Sequence, residues 1–189
     1  AVRHAAAVAE AAGAEVLPAR LPDMAPITAV AQMILLAEAA SVMQRYLHRR
    51  SDFGADVLAL LEQGCLLAAT DYINALRLRR SMQLEFNRVW AQVDCLLTPT
   101  TPIVAPRIGQ TTVSLDGHGE DVRIVATRFV RPFNLLGLPA LSMPCGITEA
   151  GLPIGIQVIG PRFSESLILG VGSALEDRGI RIVRSTCAF

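Results

Sequence analysis

The sequence predicts a mixed α/β fold, a mixed sheet of short strands flanked by helices. Three observations predict it. Residues 2–12 are Ala-rich and helical in pattern, Gly13 follows, and residues 14–17 form a short apolar run. Helix, glycine, strand in that order is an αβ unit and suggests a parallel sheet. Long stretches of helical periodicity then cover residues 27–47 and run from Thr70 or Asp71 to Gln92. Finally, residues 95–97, 140–143 and 154–159 are compact apolar runs with proline or glycine beside them, the form of buried strands.

Each element has its local reason. Ala5, Ala9 and Ala12 share one face of the first helix with Val2, and Gly13 supplies a C-terminal stop. Residues 51–54 break the chain before a shorter helix at 55–63, which Gly64 is expected to close. In the next helix, Ile73, Leu76, Phe86, Val89, Trp90 and Val93 mark an apolar face, and Arg77, Arg79, Arg80 and Glu85 the wet side. Pro99, Pro102 and Pro106 end the strand at 95–97 and hold an extended loop. The Gly-rich polar segment 109–121 predicts a mobile surface loop or hairpin. Residues 122–136 start as helix and break at Pro132. Ser164 can cap a helix over 164–177, Gly179 can stop it, and residues 180–183 form a last strand.

The chain's 189 residues suit one domain with a full core, and no linker divides it. Hydrophobic residues make up 52%, rich for a soluble domain, so either the core is large or apolar surface awaits a partner. Formal net charge is zero, and the pairs Arg49–Arg50 and Arg79–Arg80 are not interleaved with aromatics, so nucleic acid is not an expected partner. The longest apolar stretch, 27–43, is interrupted by Gln32, Glu38 and Ser41, which argues against a membrane span. Cys65, Cys95, Cys145 and Cys187 have no CxxC spacing and read as free thiols of a reducing compartment. With no signal peptide in view, the cytoplasm is the expected location. His4, His48 and His118 stand at unrelated spacings and make no metal ligand set. There is no GxGxxG, and the chain holds 17 Arg and no Lys, so GK[ST] is impossible and no cofactor is expected.

The segments with most specific character lie in the second half. In "FNLLGLPALSMPCG", Gly137 can hold a backbone conformation that a β-carbon forbids, Leu138 is pushed to extended geometry by Pro139, and Asn134 suits a turn. "GLPIGIQVIGP" reads as a turn followed by a strand, in which Gln157 can hydrogen-bond inside the fold. Upstream stand "VRHAAAVAEAAGAEVLPARLPD" and "DYINALRLRRSMQLEFNRVWAQVDCLLTPTTP". In this order and spacing, with Tyr72, Ala75, Arg80, Phe86, Asp94, Pro99, Pro102 and Glu165 in place, they resemble the C-terminal part of the amidase signature family over nearly the whole chain.

That resemblance implies a chemistry and also a gap. The family uses a serine nucleophile, a second serine in a cis peptide and a lysine base, the serines lying in a Gly-Gly-Ser-Ser-Gly type segment. A neutral lysine draws a proton through the bridging serine, the attacking serine forms an acyl-enzyme, and backbone N–H groups hold the oxyanion. None of these residues is present: Ser142 lies in "LSMPCG", and no lysine exists. No catalytic residue is therefore assigned, Ser142 reads as structural, and Cys145 with a histidine base is a weak competitor.

The expectation is a C-terminal fragment, residues 1–189 as one partial domain, inactive alone. Its parent would hydrolyse a carboxamide to acid and ammonia. Expected partners are the missing N-terminal half, a small-molecule amide and, through exposed edges, copies of the chain itself. In the family's glutamyl-tRNA amidotransferase branch, an arginine before the glycine matched by Gly64 and an aspartate ahead of "N-x-x-G-x-P" recognise the substrate amino acid. The matching positions are Leu60 and Thr127, the two candidate substrate-binding residues. Apolar Leu60 cannot pair with a carboxylate, which favours a less polar amide. The alternatives are an amidotransferase subunit of that branch, or a stand-alone non-catalytic binding domain.

Overall fold

A computed structural model describes residues 1–115 and 117–180. In chain order it contains helices α1 (Val2–Ala11), α2 (Ile27–Met43), α3 (Ala55–Cys65) and α4 (Ala69–Phe86). Strands β1 (Leu96–Pro99), β2 (Thr112–Leu115) and β3 (His118–Asp121) follow, then helices α5 (Val122–Ala126) and α6 (Arg131–Leu136). Strands β4 (Ala140–Ile147) and β5 (Pro153–Ile159) and helix α7 (Glu165–Asp177) complete it. Two compact units result: Pro22–Phe86, and Ala1–Leu21 together with the described residues from Asn87 onward.

The helical unit packs α3 and α4 on α2, with single 3-10 turns at Gln44–Tyr46 and Arg50–Asp52. Ile27, Val30, Ile34, Leu36 and Ala40 are the buried residues of α2. By length and composition, Ile27–Tyr46 is the one segment among the described residues that could cross a membrane. The expected glycine stop at position 64 is corrected: Gly64 lies inside α3 and is buried. A β-carbon there would meet the Leu36 carbonyl oxygen at 2.2 Å and the Ala40 Cβ at 2.7 Å. The glycine is therefore a point of close approach between α3 and α2.

In the other unit, β1, β5 and β4 form one antiparallel sheet in that order, and β2 pairs with β3 as a hairpin. The α/β class holds, while the expected parallel unit does not. Residues 14–17 form no strand, and every described ladder is antiparallel. Leu17 precedes Pro18, and Pro22 follows four residues later, so this segment has few donors to offer a ladder. Pro144 is tolerated because β4 is an edge strand and the register shifts between Pro144 and Gly146.

One face of the sheet is apolar. Ile156, Val158 and Cys145 pack with Ala5 and Ala9 of α1, Ile168 and Leu175 of α7, and Ile180. Fully burying an aliphatic side chain of this size contributes roughly 1.5–3 kcal/mol, so β5, with Ile156, Val158 and Ile159 each at 0% exposure, anchors the unit.

Other boundaries shift for local reasons. α4 starts at Ala69, with Asp71 already in its first turn, and ends at Phe86 before Asn87, a residue that favours leaving a helix. Residues 87–92 run on as turns. Pro132 does not break a helix. It sits in the first turn of α6, where a missing N–H costs nothing, and the break falls at residues 127–130. Asn134 accordingly lies in α6, and Gly137 ends it at φ 69°, a left-handed conformation suited to glycine. Ser164 stands at the N-cap of α7, but its hydroxyl donates to the Pro161 carbonyl instead (2.6 Å). Of the strand expected at 180–183, residues 181–183 lie outside the described residues, as does Cys187.

Alanine in a helix interior is ordinarily about 1 kcal/mol better than glycine. At position 64 the clash with the Leu36 carbonyl wins. Gly64→Ala should lower the free energy of unfolding in urea by about 1–3 kcal/mol. A midpoint that is unchanged or raised would contradict the close approach.

Candidate functional site

The face of the three-stranded sheet opposite the apolar core carries a polar row. Thr98 of β1, Gln157 of β5 and Ser142 of β4 are partners in register across the strands. Thr100 continues the ladder, its N–H donating to the Gly155 carbonyl at 3.0 Å, and its hydroxyl lies 2.9 Å from that of Ser142.

Gln157 is the buried member, 2% exposed. Its Nε2 donates to Thr98 Oγ1 (2.9 Å), to the Pro99 carbonyl (3.2 Å) and to the Phe129 carbonyl (2.8 Å). The expectation that Gln157 bonds inside the fold holds, and the third acceptor gives it reach. Phe129 lies in the turn between α5 and α6, in neither helix. The amide thus ties that turn to the sheet.

The turn has its own internal bonding. Asp121 caps α5, its carboxylate accepting from the N–H groups of Arg123 (2.8 Å) and Ile124 (3.4 Å). Side-chain hydrogen bonds from Arg123 hold the Asp121 carboxyl below the usual carboxylate range, with the backbone bond adding to it. The Arg128 guanidinium pairs with Glu120 of β3. Thr127 ends α5, and its hydroxyl donates to the Arg123 carbonyl at 2.8 Å. The Arg131 guanidinium donates to the same hydroxyl, and the Arg131 N–H reaches the Thr127 carbonyl at 2.9 Å. At the far end of α6, Arg162 donates to the Leu136 carbonyl (3.1 Å).

Of the two positions read from the sequence, Thr127 lies in this assembly, with its hydroxyl already engaged by backbone and Arg131. Leu60 lies in α3 of the helical unit, 40% exposed. That unit also holds an open cleft of about 560 Å³ whose lining includes Glu38, Ser41, Cys65, Ala68 and Tyr72. Across it the Tyr72 hydroxyl donates to Glu38 Oε1 at 2.9 Å, and this bond, followed by burial, raises the phenol's pKa. Nothing in the sequence pattern pointed to this pair, because 34 residues separate the two.

Ser142 is exposed, its hydroxyl beside that of Thr100. Cys145 is buried on the opposite, apolar face, where burial pushes its thiol pKa up. A thiol held protonated in a core is a poor nucleophile. His4, His48 and His118 are all exposed, and among the described residues no three His, Cys, Asp or Glu side chains gather as a metal site.

The amidase family model matches residues 1–169. The chain belongs to the amidase family. It is 37% identical over 141 residues to a fatty acid amide hydrolase of Oryza sativa subsp. indica, covering 75% of this chain and 23% of that relative. It is 32% identical to a glutamyl-tRNA(Gln) amidotransferase subunit of Myxococcus xanthus (strain DK1622), covering 93% of this chain and 40% of that one. A solved crystal structure of an amidase superposes with a TM-score of 0.85 at 31% identity, over 94% of this chain and 42% of that one. The chain therefore spans well under half the length of these relatives. The sequence resemblance and the α/β class it implied both hold.

The exposed thiol of Cys65 in α3 and the buried thiol of Cys145 in β4 differ in reactivity. Iodoacetamide at neutral pH should alkylate exposed Cys65 rapidly and leave Cys145 unmodified until the chain is unfolded, as read by peptide mass mapping. Fast labelling of Cys145 in the folded chain would contradict its burial and its raised pKa.

Proposed function

We propose that this chain is the C-terminal part of an amidase that hydrolyses a carboxamide to acid and ammonia through a serine acyl-enzyme. The nucleophilic serine, the bridging serine and the lysine base belong to sequence outside these residues. One observation carries the reading: a family match across residues 1–169 in a chain without a single lysine. The family's general base cannot come from this chain, so its contribution is binding surface. In this reading the Thr127 turn forms part of the acyl-binding wall of its own unit, and Leu60 is the candidate substrate-binding residue of the helical unit.

The apolar side chain at position 60 supports an acyl group of low polarity, and the likeness to a fatty acid amide hydrolase points the same way. An amidotransferase component that delivers ammonia from glutamine is the second reading, favoured by the 32% identity to the Myxococcus protein. It lacks a charged partner for the substrate's carboxylate at Leu60 and for its ammonium group at Thr127. Self-association is part of the first reading. β1 and β4 are sheet edges among the described residues, and Leu35, Val42 and Leu66 are 66%, 63% and 86% exposed.

The test is to extend the reading frame upstream of Ala1 and assay the longer protein for ammonia release from a series of carboxamides. The first reading expects a lysine and a Gly-Gly-Ser-Ser-Gly segment upstream. It also expects kcat/KM for apolar acyl amides to exceed that for glutamine by at least about tenfold, a difference of about 1.4 kcal/mol in transition-state binding. Preference for glutamine would favour the amidotransferase reading, and a stop codon with a local start would overturn both. Light scattering on the 189-residue chain should show dimers or larger species, and a monomer at high concentration would refute self-association.

A further inference from the structure

We infer that Gln157 is a positioning residue for the acyl wall: its buried amide sets where the Thr127 turn stands against the sheet. The inference rests on the proposed function only in calling that turn a wall. The mechanical part stands on the geometry alone.

The turn at residues 127–130 joins two short helices, α5 and α6, of five and six residues. Helices this short hold little structure of their own, so the turn depends on anchors from outside. The hairpin supplies one anchor, through Arg128 and Glu120. That pair is part-exposed and contributes little. The bond from Gln157 to the Phe129 carbonyl comes from the buried centre of the sheet, and the same Nε2 also holds Thr98 and Pro99 of β1. β1 and β5 are already joined by their backbone ladder, and α5 and α6 bury Val125, Phe133 and Leu136, so what the Gln157 side chain adds is a direct bond from the sheet to the turn itself.

The residue type matters. Two backbone carbonyls and a hydroxyl face this position, so a donor is required there. Leucine fills similar space and donates nothing. Glutamate presents an acceptor to acceptors when ionised and can donate only when protonated. The site therefore favours its protonated form and raises its pKa. The charged groups on the adjoining segments are Arg128, paired with Glu120, and Arg131, bonded to Thr127.

Hydrogen exchange followed by mass spectrometry on the 189-residue chain tests this without any enzymatic activity. In Gln157→Leu, segment 127–134 should exchange about tenfold faster, the effect of one lost buried hydrogen bond, while α7 keeps its protection. In Gln157→Glu the same local loss should appear at neutral pH and reverse on acidification, once intrinsic exchange is corrected for, whereas the parent chain shows no such reversal. Faster exchange of all segments together, or no change at 127–134, overturns the inference. Should the leucine variant fail to fold, the glutamate variant decides. Protection of 127–134 recovered at acidic pH supports a positioning role. A folded chain unprotected there at both pH values, or a chain unfolded at both, refutes it. In the longer protein, if it is an amidase, Gln157→Glu should change KM across an acyl-length series with kcat largely kept. A uniform fall in kcat would assign Gln157 elsewhere. Failure of the amidase reading removes only this last arm.

Discussion

The sheet unit depends on the two-sided burial of β5. Ile156 and Val158 point into the core shared with α1 and α7, and Gln157 and Ile159 are buried on the other side. A central strand leaves no room for an amide without partners, because stranding a buried polar group costs about 1–3 kcal/mol while a made hydrogen bond gains only about 1. Gln157 meets that requirement by reaching two other segments, β1 and the turn after α5. The same bonds that make its burial tolerable fix the geometry of the polar face. Stability and positioning are here one interaction.

The two faces of the sheet then divide the labour. The apolar face is closed by α1 and α7 and holds Cys145, a thiol kept protonated by its surroundings. The polar face carries Thr98, Thr100 and Ser142 beside the Thr127 turn. One side is dry and serves folding, and the other is hydrogen-bonded, with the turn tied to the sheet from within. The helical unit uses a different device, the backbone contact at Gly64, to bring α3 against α2 and so to place the helix that carries Leu60.

How much of this was legible in the sequence follows from how local each signal was. The major helices and the β1, β4 and β5 strands were readable from periodicity and proline or glycine boundaries, because those signals sit within one element. Gly64 was misread because a glycine late in a helix looks the same whether it ends the helix or admits a neighbour; only the Leu36 carbonyl distinguishes the two. Pro132 was misread because a proline that starts a helix and one that breaks a helix are identical in sequence. Residues 14–17 had strand composition but no ladder, and pairing is a property of two segments. At the site, Gln157 could be marked as an internal hydrogen-bonding group, but its partners at positions 98, 99 and 129 come together only through the fold.

These residues belong to the amidase family, and we propose that the nucleophilic machinery lies in sequence outside them. The most direct measurement is to treat the 189-residue chain with a fluorophosphonate probe, which captures activated serines, and read the intact mass. No adduct is expected, since the Ser142 hydroxyl is bonded to that of Thr100, which is no base. A stoichiometric adduct, above all on Ser142, would mean that the chain activates a serine by itself and would contradict the claim.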